Sequence, residues 1–196
     1  MNRSLLALAI SVGFVFLGAD SHAQEKKDEP KKDEKEPDKK WIDASKDVWE
    51  EDGVRVKVVS VSIDFVKGVE RDFGEKKPFV SKEKCLIVRL QTENRNETKK
   101  IDYTPFGFRV DILVSRTTSM KDNFDNRYNE QVYQRGVTID GRAKSHSLYP
   151  NKSTDDVVVF EVPIEKAKIL YLELSKDSIG SKSPPRFQIP MTMVKK

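Results

Sequence analysis

The chain has 196 residues, a formal net charge of +4 and 35% charged side chains, so one globular domain plus some unfolded chain is expected. The mild charge, without a stripe of basic and aromatic residues, does not indicate a nucleic-acid partner. Cys85 is the only cysteine, so a domain of this size is expected to be held together by packing and not by disulfides.

The first 23 residues have the pattern of an export signal. Arg3 precedes an apolar run at residues 5–17, and Ser21 and Ala23 supply the small residues of a cleavage site. A transmembrane helix needs roughly 20 apolar residues, so this run is too short to be one. The pattern predicts export to the periplasm or the medium and no transmembrane segment in the mature chain. An uncleaved anchor is the alternative.

Residues 24–40 contain no apolar side chain, and their lysines are balanced by carboxylates. Such a segment has nothing to bury that would offset the entropy lost on ordering, so a disordered charged linker is predicted. Residues 41–196 then form one domain.

The period of apolar residues in this domain is two, which is typical of strands. In the first long strand the inward-facing set changes phase between Val58 and Val59: it is Val54, Val56 and Val58, then Val59, Val61, Ile63 and Phe65. We therefore expect a β-bulge or a sheet crossover at Val58–Val59.

Further strands are predicted at residues 84–94, 101–104, 108–114, 154–162, 168–175 and 186–194. Residues 131–133 are expected to form a short strand or an extended piece, and residues 137–141 a further short element that ends in a turn. Val158, Phe160 and Val162 should share one face, and Leu170, Leu172 and Leu174 should point inward. Pro190 favours an edge position for the last strand. At most one helical turn is expected, within residues 44–52. Seven or more strands separated by turns predict an all-β fold, an antiparallel β-sandwich of the immunoglobulin type.

The segment MKDNFDNRY, residues 120–128, is rich in Asp and Asn and resembles a calcium loop at first sight. Such a loop needs oxygen ligands at alternate positions followed by a glycine. Phe124 and Arg127 occupy positions where an oxygen or a glycine is required. We interpret the segment as a tight turn with left-handed backbone at Asp125–Asn126, leaving Asp122, Asp125 and Asn126 as weak metal candidates.

The mature chain offers little catalytic chemistry. Its only histidine is His146, and no Cys/His cluster or nucleophile motif accompanies it. Neighbouring carboxylates, at residues 50–52 and at Asp155 and Asp156, are the candidates for general acid and base chemistry. We expect no enzymatic activity and no cofactor.

Four segments in register resemble an exported bacterial domain of unknown function with a telokin-like immunoglobulin sandwich. They are CLIVRLQTENRNET, MKDNFDNRY, LYPNKSTDDVVVFEVP and ILYLELS. The resemblance covers roughly residues 54–194. Asp125 and Asn151 replace glycines of the family pattern, and both are residue types that tolerate positive φ. The resemblance implies this fold and export, and it implies no catalytic residues.

The function expected from the sequence is binding of a protein or another cell-envelope component by an exported module. The candidate contact residues are aromatic or Arg residues expected in exposed loops: Phe106, Phe124, Tyr133, Arg135 and Tyr149. For each, packing within the fold is the alternative. A calcium- or carbohydrate-binding module using Asp122, Asp125 and Asn126 is the first rival hypothesis, and a carboxylate-based hydrolase is the second.

Overall fold

The computed structural model describes residues 40–72, 74–107, 118–134 and 136–196. The predicted signal peptide, nearly all of the predicted linker, the strand predicted at 108–114, and Arg135 lie outside these residues.

The described residues form a nearly all-β structure. They comprise thirteen strands and two single-turn 3-10 helices, the latter at Lys176–Ser178 and Met191–Met193. No helix in the described part of the chain is long and apolar enough to cross a bilayer. The strands are β1 (Ile42–Asp43), β2 (Trp49–Glu51), β3 (Val54–Asp72), β4 (Glu75–Asn94), β5 (Ile101–Tyr103), β6 (Ser119–Asp122), β7 (Arg127–Tyr128), β8 (Val137–Ile139), β9 (His146–Leu148), β10 (Lys152–Phe160), β11 (Ile169–Glu173), β12 (Arg186–Pro190) and β13 (Val194–Lys195).

The strands form two large sheets and one small one. The five-stranded sheet has the order β1-β12-β11-β6-β7, and the six-stranded sheet has the order β10-β4-β3-β13, with β2 and β8 also paired to β3. Strands β5 and β9 form the small sheet. All pairings are antiparallel except β1 with β12 and β13 with β3. The expectation of an all-β fold with antiparallel sheets is confirmed.

The two large sheets share one apolar core. Its fully buried side chains include Leu86, Val88, Val158 and Phe160 from the six-stranded sheet and Leu170, Leu172, Phe187 and Ile189 from the five-stranded sheet. Burial of this apolar surface is the main favourable contribution to folding. The inward orientation predicted for the leucines of β11 is confirmed. Val162 was predicted to share one strand face with Val158 and Phe160. This is wrong, because β10 ends at Phe160 and Val162 is 42% exposed beyond it.

A second, smaller cluster covers the far side of the six-stranded sheet. It contains Val66, Cys85, Ile87, Ile139, Val157 and Val159, with Tyr133 packed against it. Alternate residues of β4 therefore serve two different cores, which is why the strand is apolar on both faces over residues 85–88. Cys85 is buried within this cluster as a free thiol.

The predicted bulge at Val58–Val59 is confirmed. Val58 pairs with Leu90 and Ser60 pairs with Arg89, so Val59 is the extra residue and is 50% exposed. Because the bulge absorbs the change of phase, Val61 stays on the same face as Val58. Placing Val59 in the inward set is wrong for the same reason. Phe65 keeps the phase of Val61 and Ile63 but is 40% exposed, so placing it among the inward-facing residues is also wrong.

The two residues that replace glycines have left-handed backbone, as predicted. The φ angles are 63° at Asp125 and 58° at Asn151. Asn126 is not among the described residues with positive φ, so the left-handed position of the turn is Asp125 alone.

The strand that contains Pro190, β12, is not at an edge. β12 lies between β11 and β1, whose pairing reaches only Phe187 and Gln188. Pro190 lies beyond the end of β1, so its missing N–H removes no hydrogen bond to that strand.

Candidate functional site

The carboxylate of Asp122 is buried beneath the β6–β7 turn and is saturated with hydrogen-bond donors. Its Oδ1 accepts from the backbone N–H of Phe124 at 2.8 Å and of Asn126 at 3.1 Å. Its Oδ2 accepts from Nδ2 of Asn126 at 2.9 Å and from the hydroxyl of Tyr128 at 2.7 Å. Burial raises the pKa of Asp122, but these donors outweigh it and lower the pKa from 3.8 to about 2.

The weak metal candidates do not present a set of free oxygens. Asp125 is exposed and pairs with Nζ of Lys121 at 2.7 Å, while Asn126 turns its amide nitrogen toward Asp122. Oδ1 of Asn123 accepts from the backbone N–H of Lys168 at 2.8 Å. In the described residues no group of three or more His, Cys, Asp or Glu side chains is placed to hold a metal ion. The polar residues of this segment hold the hairpin together and anchor it to the start of β11.

The predicted contact residues fall in different environments. Phe106 is only 3% exposed, so its assumed exposure is wrong. Its backbone N–H is fixed by Asp156, and its ring packs edge-on against Tyr103 with centroids 5.9 Å apart. Phe124 and Tyr149 are exposed at two separate turns. Tyr133 is half-buried and lines a groove.

This groove, here called the Tyr133 groove, has a volume of about 590 Å³. Its lining includes Phe79, Val80, Cys85, Val132, Tyr133 and Val162. The rings of Phe79 and Tyr133 meet edge-on with centroids 5.3 Å apart, and the Tyr133 hydroxyl lies 3.7 Å from Sγ of Cys85. Burial, with a smaller contribution from Cys85, raises the pKa of Tyr133 well above its usual value, so the phenol stays protonated.

Exposed aliphatic side chains line the Tyr133 groove together with polar and charged ones, which include Glu70, Lys82 and Glu161. Val80 is 56% exposed, Val132 is 62% exposed, and Val162 lies beside them. Single exposed valines are ordinary, but three that line the same groove beside the buried Cys85 are a larger apolar feature. The Tyr133 groove therefore has the composition of an interaction surface.

One wall of the groove is an open strand edge. β10 pairs with β4 only from Leu86 to Asn94, and in the described residues no other strand pairs with that edge of β4 between Glu75 and Cys85. Pro78 lies in this stretch, and the pairing of β3 with β4 is irregular opposite Val66. A proline and a bulge on an edge strand hinder long strand addition.

A second groove, of about 710 Å³, lies on the outer face of the five-stranded sheet. Its lining includes Trp41, Lys121, Arg127 and Tyr171. The rings of Trp41 and Tyr171 meet edge-on with centroids 5.1 Å apart, and Nζ of Lys121 lies 6.0 Å from the centroid of Tyr171. This set was not predicted, because its members are apolar or charged residues in unrelated parts of the sequence that only the strand register brings together.

In the two groups of carboxylates that the sequence suggested for general acid and base chemistry, the hydrogen-bonded members hold loops in place. Asp156 is buried and accepts from the Tyr103 hydroxyl and from three backbone N–H groups, whereas its neighbour Asp155 is exposed and accepts from Gln91. Glu51 accepts from the backbone and the hydroxyl of Ser183. Burial raises the pKa of Glu51, but these hydrogen bonds and one from Lys182 outweigh it, and the pKa is lowered. Adjacent strand residues point to opposite faces, so Asp155 and Asp156 do not converge.

Comparison with known proteins finds similarity among solved structures. No protein-family model matches the chain, and no curated protein matches it either. Among solved structures it is similar to the yjhA protein of Bacillus subtilis, with 16% identity, a TM-score of 0.45, and coverage of 74% of this chain and 96% of that chain. At this level of similarity no residue role passes from one protein to the other.

Proposed function

We propose that this chain is a non-enzymatic module that is exported, to the periplasm or the medium, and binds a protein or other cell-envelope partner through the Tyr133 groove. The observation that carries the proposal is that three exposed valines, Val80, Val132 and Val162, line one groove that also contains the buried Cys85 and the half-buried Tyr133. The proposed fold is a telokin-like immunoglobulin sandwich, which is supported by two mainly antiparallel sheets around one core. The proposal of export is supported by the sequence of residues 1–23.

The apolar part of the groove lining favours an apolar segment of a protein partner. Removing apolar surface from water is favourable. The groove offers such surface on the rings of Phe79 and Tyr133 and on the aliphatic side chains that line it. Pro78 and the irregular pairing opposite Val66 oppose the addition of a long strand. We therefore propose that the partner inserts apolar side chains between β4 and the segment that carries Val132 and Tyr133.

A non-enzymatic function is supported by what the buried carboxylates do. Asp122 and Asp156 each accept four hydrogen bonds from the protein itself, so their oxygens serve the fold. The rival hypotheses have less support for the same reason. A calcium or carbohydrate site at Asp122, Asp125 and Asn126 would have to break these bonds, and a hydrolase would need two convergent free acids.

Replacing the aliphatic mouth of the groove with charge tests this proposal. The tagged full chain and the double variant Val132→Lys with Val162→Lys are used to capture partners from an envelope extract of the cells that make the protein. We expect the partner retained by the wild type to be retained about tenfold less by the double variant, because a lysine cannot enter an apolar contact without losing its hydration.

The matched control is Phe124→Lys, which charges an exposed apolar residue at a different turn. It should capture the partner as well as the wild type does. All three proteins should melt at similar temperatures, since the substituted side chains are exposed. Equal capture by the double variant and the wild type would contradict the proposed site.

A further inference from the structure

The Tyr133 groove ends at the tip of the β3–β4 hairpin, and the register shows which side chains of the tip share its face. Gly68 of β3 pairs with Phe79 of β4 on one side and with Ile139 of β8 on the other. Ile139 is buried in the second cluster, and the ring of Phe79 packs against Tyr133. Residues paired across strands point to the same face, so Gly68 lies on the face that carries the groove.

Three carboxylates surround one ammonium group on this face of the hairpin tip. Glu70 follows Gly68 by two positions and pairs with Lys77. Two positions further, Asp72 pairs with Glu75. Side chains alternate between faces along a strand, so all four charged side chains lie on the face of the groove.

The single ammonium group does not balance these carboxylates. Nζ of Lys77 lies 3.6 Å from Asp72 and 3.8 Å from Glu75, while Glu70 forms no ion pair within the described residues. Asp72 and Glu75 are directly opposite each other, and like charges in that position are destabilising. The face therefore has an excess of negative charge, which a bound cation would relieve.

The rest of the charged groove lining is balanced. It consists of two lysines and two glutamates: Lys82, Lys84, Glu83 and Glu161. Lys84 pairs with Phe65, which lies roughly 16 Å before Glu70 along β3 at about 3.3 Å per residue. The acidic excess is thus confined to the end of the groove that Glu70 lines.

We propose that the partner of the Tyr133 groove carries lysine or arginine residues beside its apolar ones, and that Glu70, Asp72 and Glu75 bind these cations. This partner chemistry rests on the function proposed above, since it concerns the same groove. The apolar side chains enter the groove and the basic ones lie over the hairpin tip, so the charge determines the direction of the bound segment. The whole chain has a net charge of +4, which by itself favours acidic partners. A preference for basic segments would therefore come from this local face.

Peptide selection with the full chain provides the test. The immobilised wild type selects from a phage-displayed library of random dodecapeptides, and a groove peptide is one that Val132→Lys with Val162→Lys no longer retains. We expect groove peptides to carry lysine or arginine beside apolar residues. The Kd of a labelled groove peptide, measured by fluorescence anisotropy, should rise about tenfold in Glu70→Lys with Glu75→Lys. The neutral pair Glu70→Gln with Glu75→Gln, which adds no repulsion, should weaken binding less.

The matched control is Glu50→Lys with Glu97→Lys, which makes the same charge change at two exposed glutamates outside the groove lining. It should bind the groove peptide like the wild type. The proposal is overturned if groove peptides lack basic residues, or if the two lysine double variants at glutamates bind equally well, and the Tyr133 groove then remains a binding surface. If no selected peptide depends on Val132 and Val162, the groove is not a binding surface, and both proposals are overturned.

Discussion

Asp122→Ala is expected to lower the free energy of unfolding by about 3 kcal/mol, because the variant leaves buried donors without an acceptor. The hydroxyl of Tyr128 and the backbone N–H groups of Phe124 and Asn126 would lose their partner together. Urea unfolding followed by tryptophan fluorescence measures the difference.

The same carboxylate should make stability depend on pH. Since the folded-state pKa of Asp122 is lowered from 3.8 to about 2, its contribution is fully present above pH 4 and is lost as the pH falls through 2. The shift corresponds to about 2 kcal/mol. In Asp122→Asn, which has no charge to lose, the decline in stability between pH 4 and pH 2 should be smaller by about this amount.

Asp125→Asn is the matched control, since it makes the same chemical change three residues away in the same turn. Its side chain is exposed, and asparagine also tolerates the positive φ there, so stability should change by less than about 0.5 kcal/mol. If Asp122→Ala were as mild as this control, the carboxylate would not be the anchor of the hairpin.

Asp156→Ala should cost about 3–5 kcal/mol, because this buried carboxylate joins three separate segments. Its Oδ2 accepts from the hydroxyl of Tyr103 at 2.9 Å and from the N–H of Phe106 at 2.8 Å, and its Oδ1 accepts from the N–H of Ala143 at 3.1 Å. Burial raises the pKa of Tyr103 far above its usual value, and the charge of Asp156 raises it further, so the phenol remains a donor. Urea unfolding again measures the loss.

Two further variants show whether the stability lost in Asp156→Ala comes from these hydrogen bonds. Asp155→Ala, at the exposed neighbouring position, should change stability by less than about 0.5 kcal/mol. Tyr103→Phe removes one donor and should cost about 1 kcal/mol. Equal losses for Asp155→Ala and Asp156→Ala would show that the buried network does not hold these loops.

The strands and turns could be predicted because their causes are local. Alternating apolar residues determine which face of a strand is buried, and a change of phase requires a bulge, which appears at Val59. Asp125 and Asn151 were predictable as left-handed positions because few residues other than glycine tolerate positive φ.

The surfaces and buried networks could not be predicted, because distant segments create them. Asp156 follows another aspartate near a strand start, and only the packing of Tyr103, Phe106 and Ala143 over it makes it a buried acceptor. The same packing buries Phe106, which the sequence suggested as a contact residue. Trp41 and Tyr171 are far apart in the chain and meet only through the order of strands β1, β12 and β11.

Site-specific photo-cross-linking tests the central claim, that the Tyr133 groove is a partner-binding surface, most directly. A photoreactive phenylalanine analogue is placed at Val132 in one protein and at Phe124 in another, in the cells that make the chain. Both positions are exposed, so neither protein should be destabilised. We expect a discrete cross-linked product from position 132 and none from position 124. No product from position 132, or the same products from both positions, would contradict the proposal.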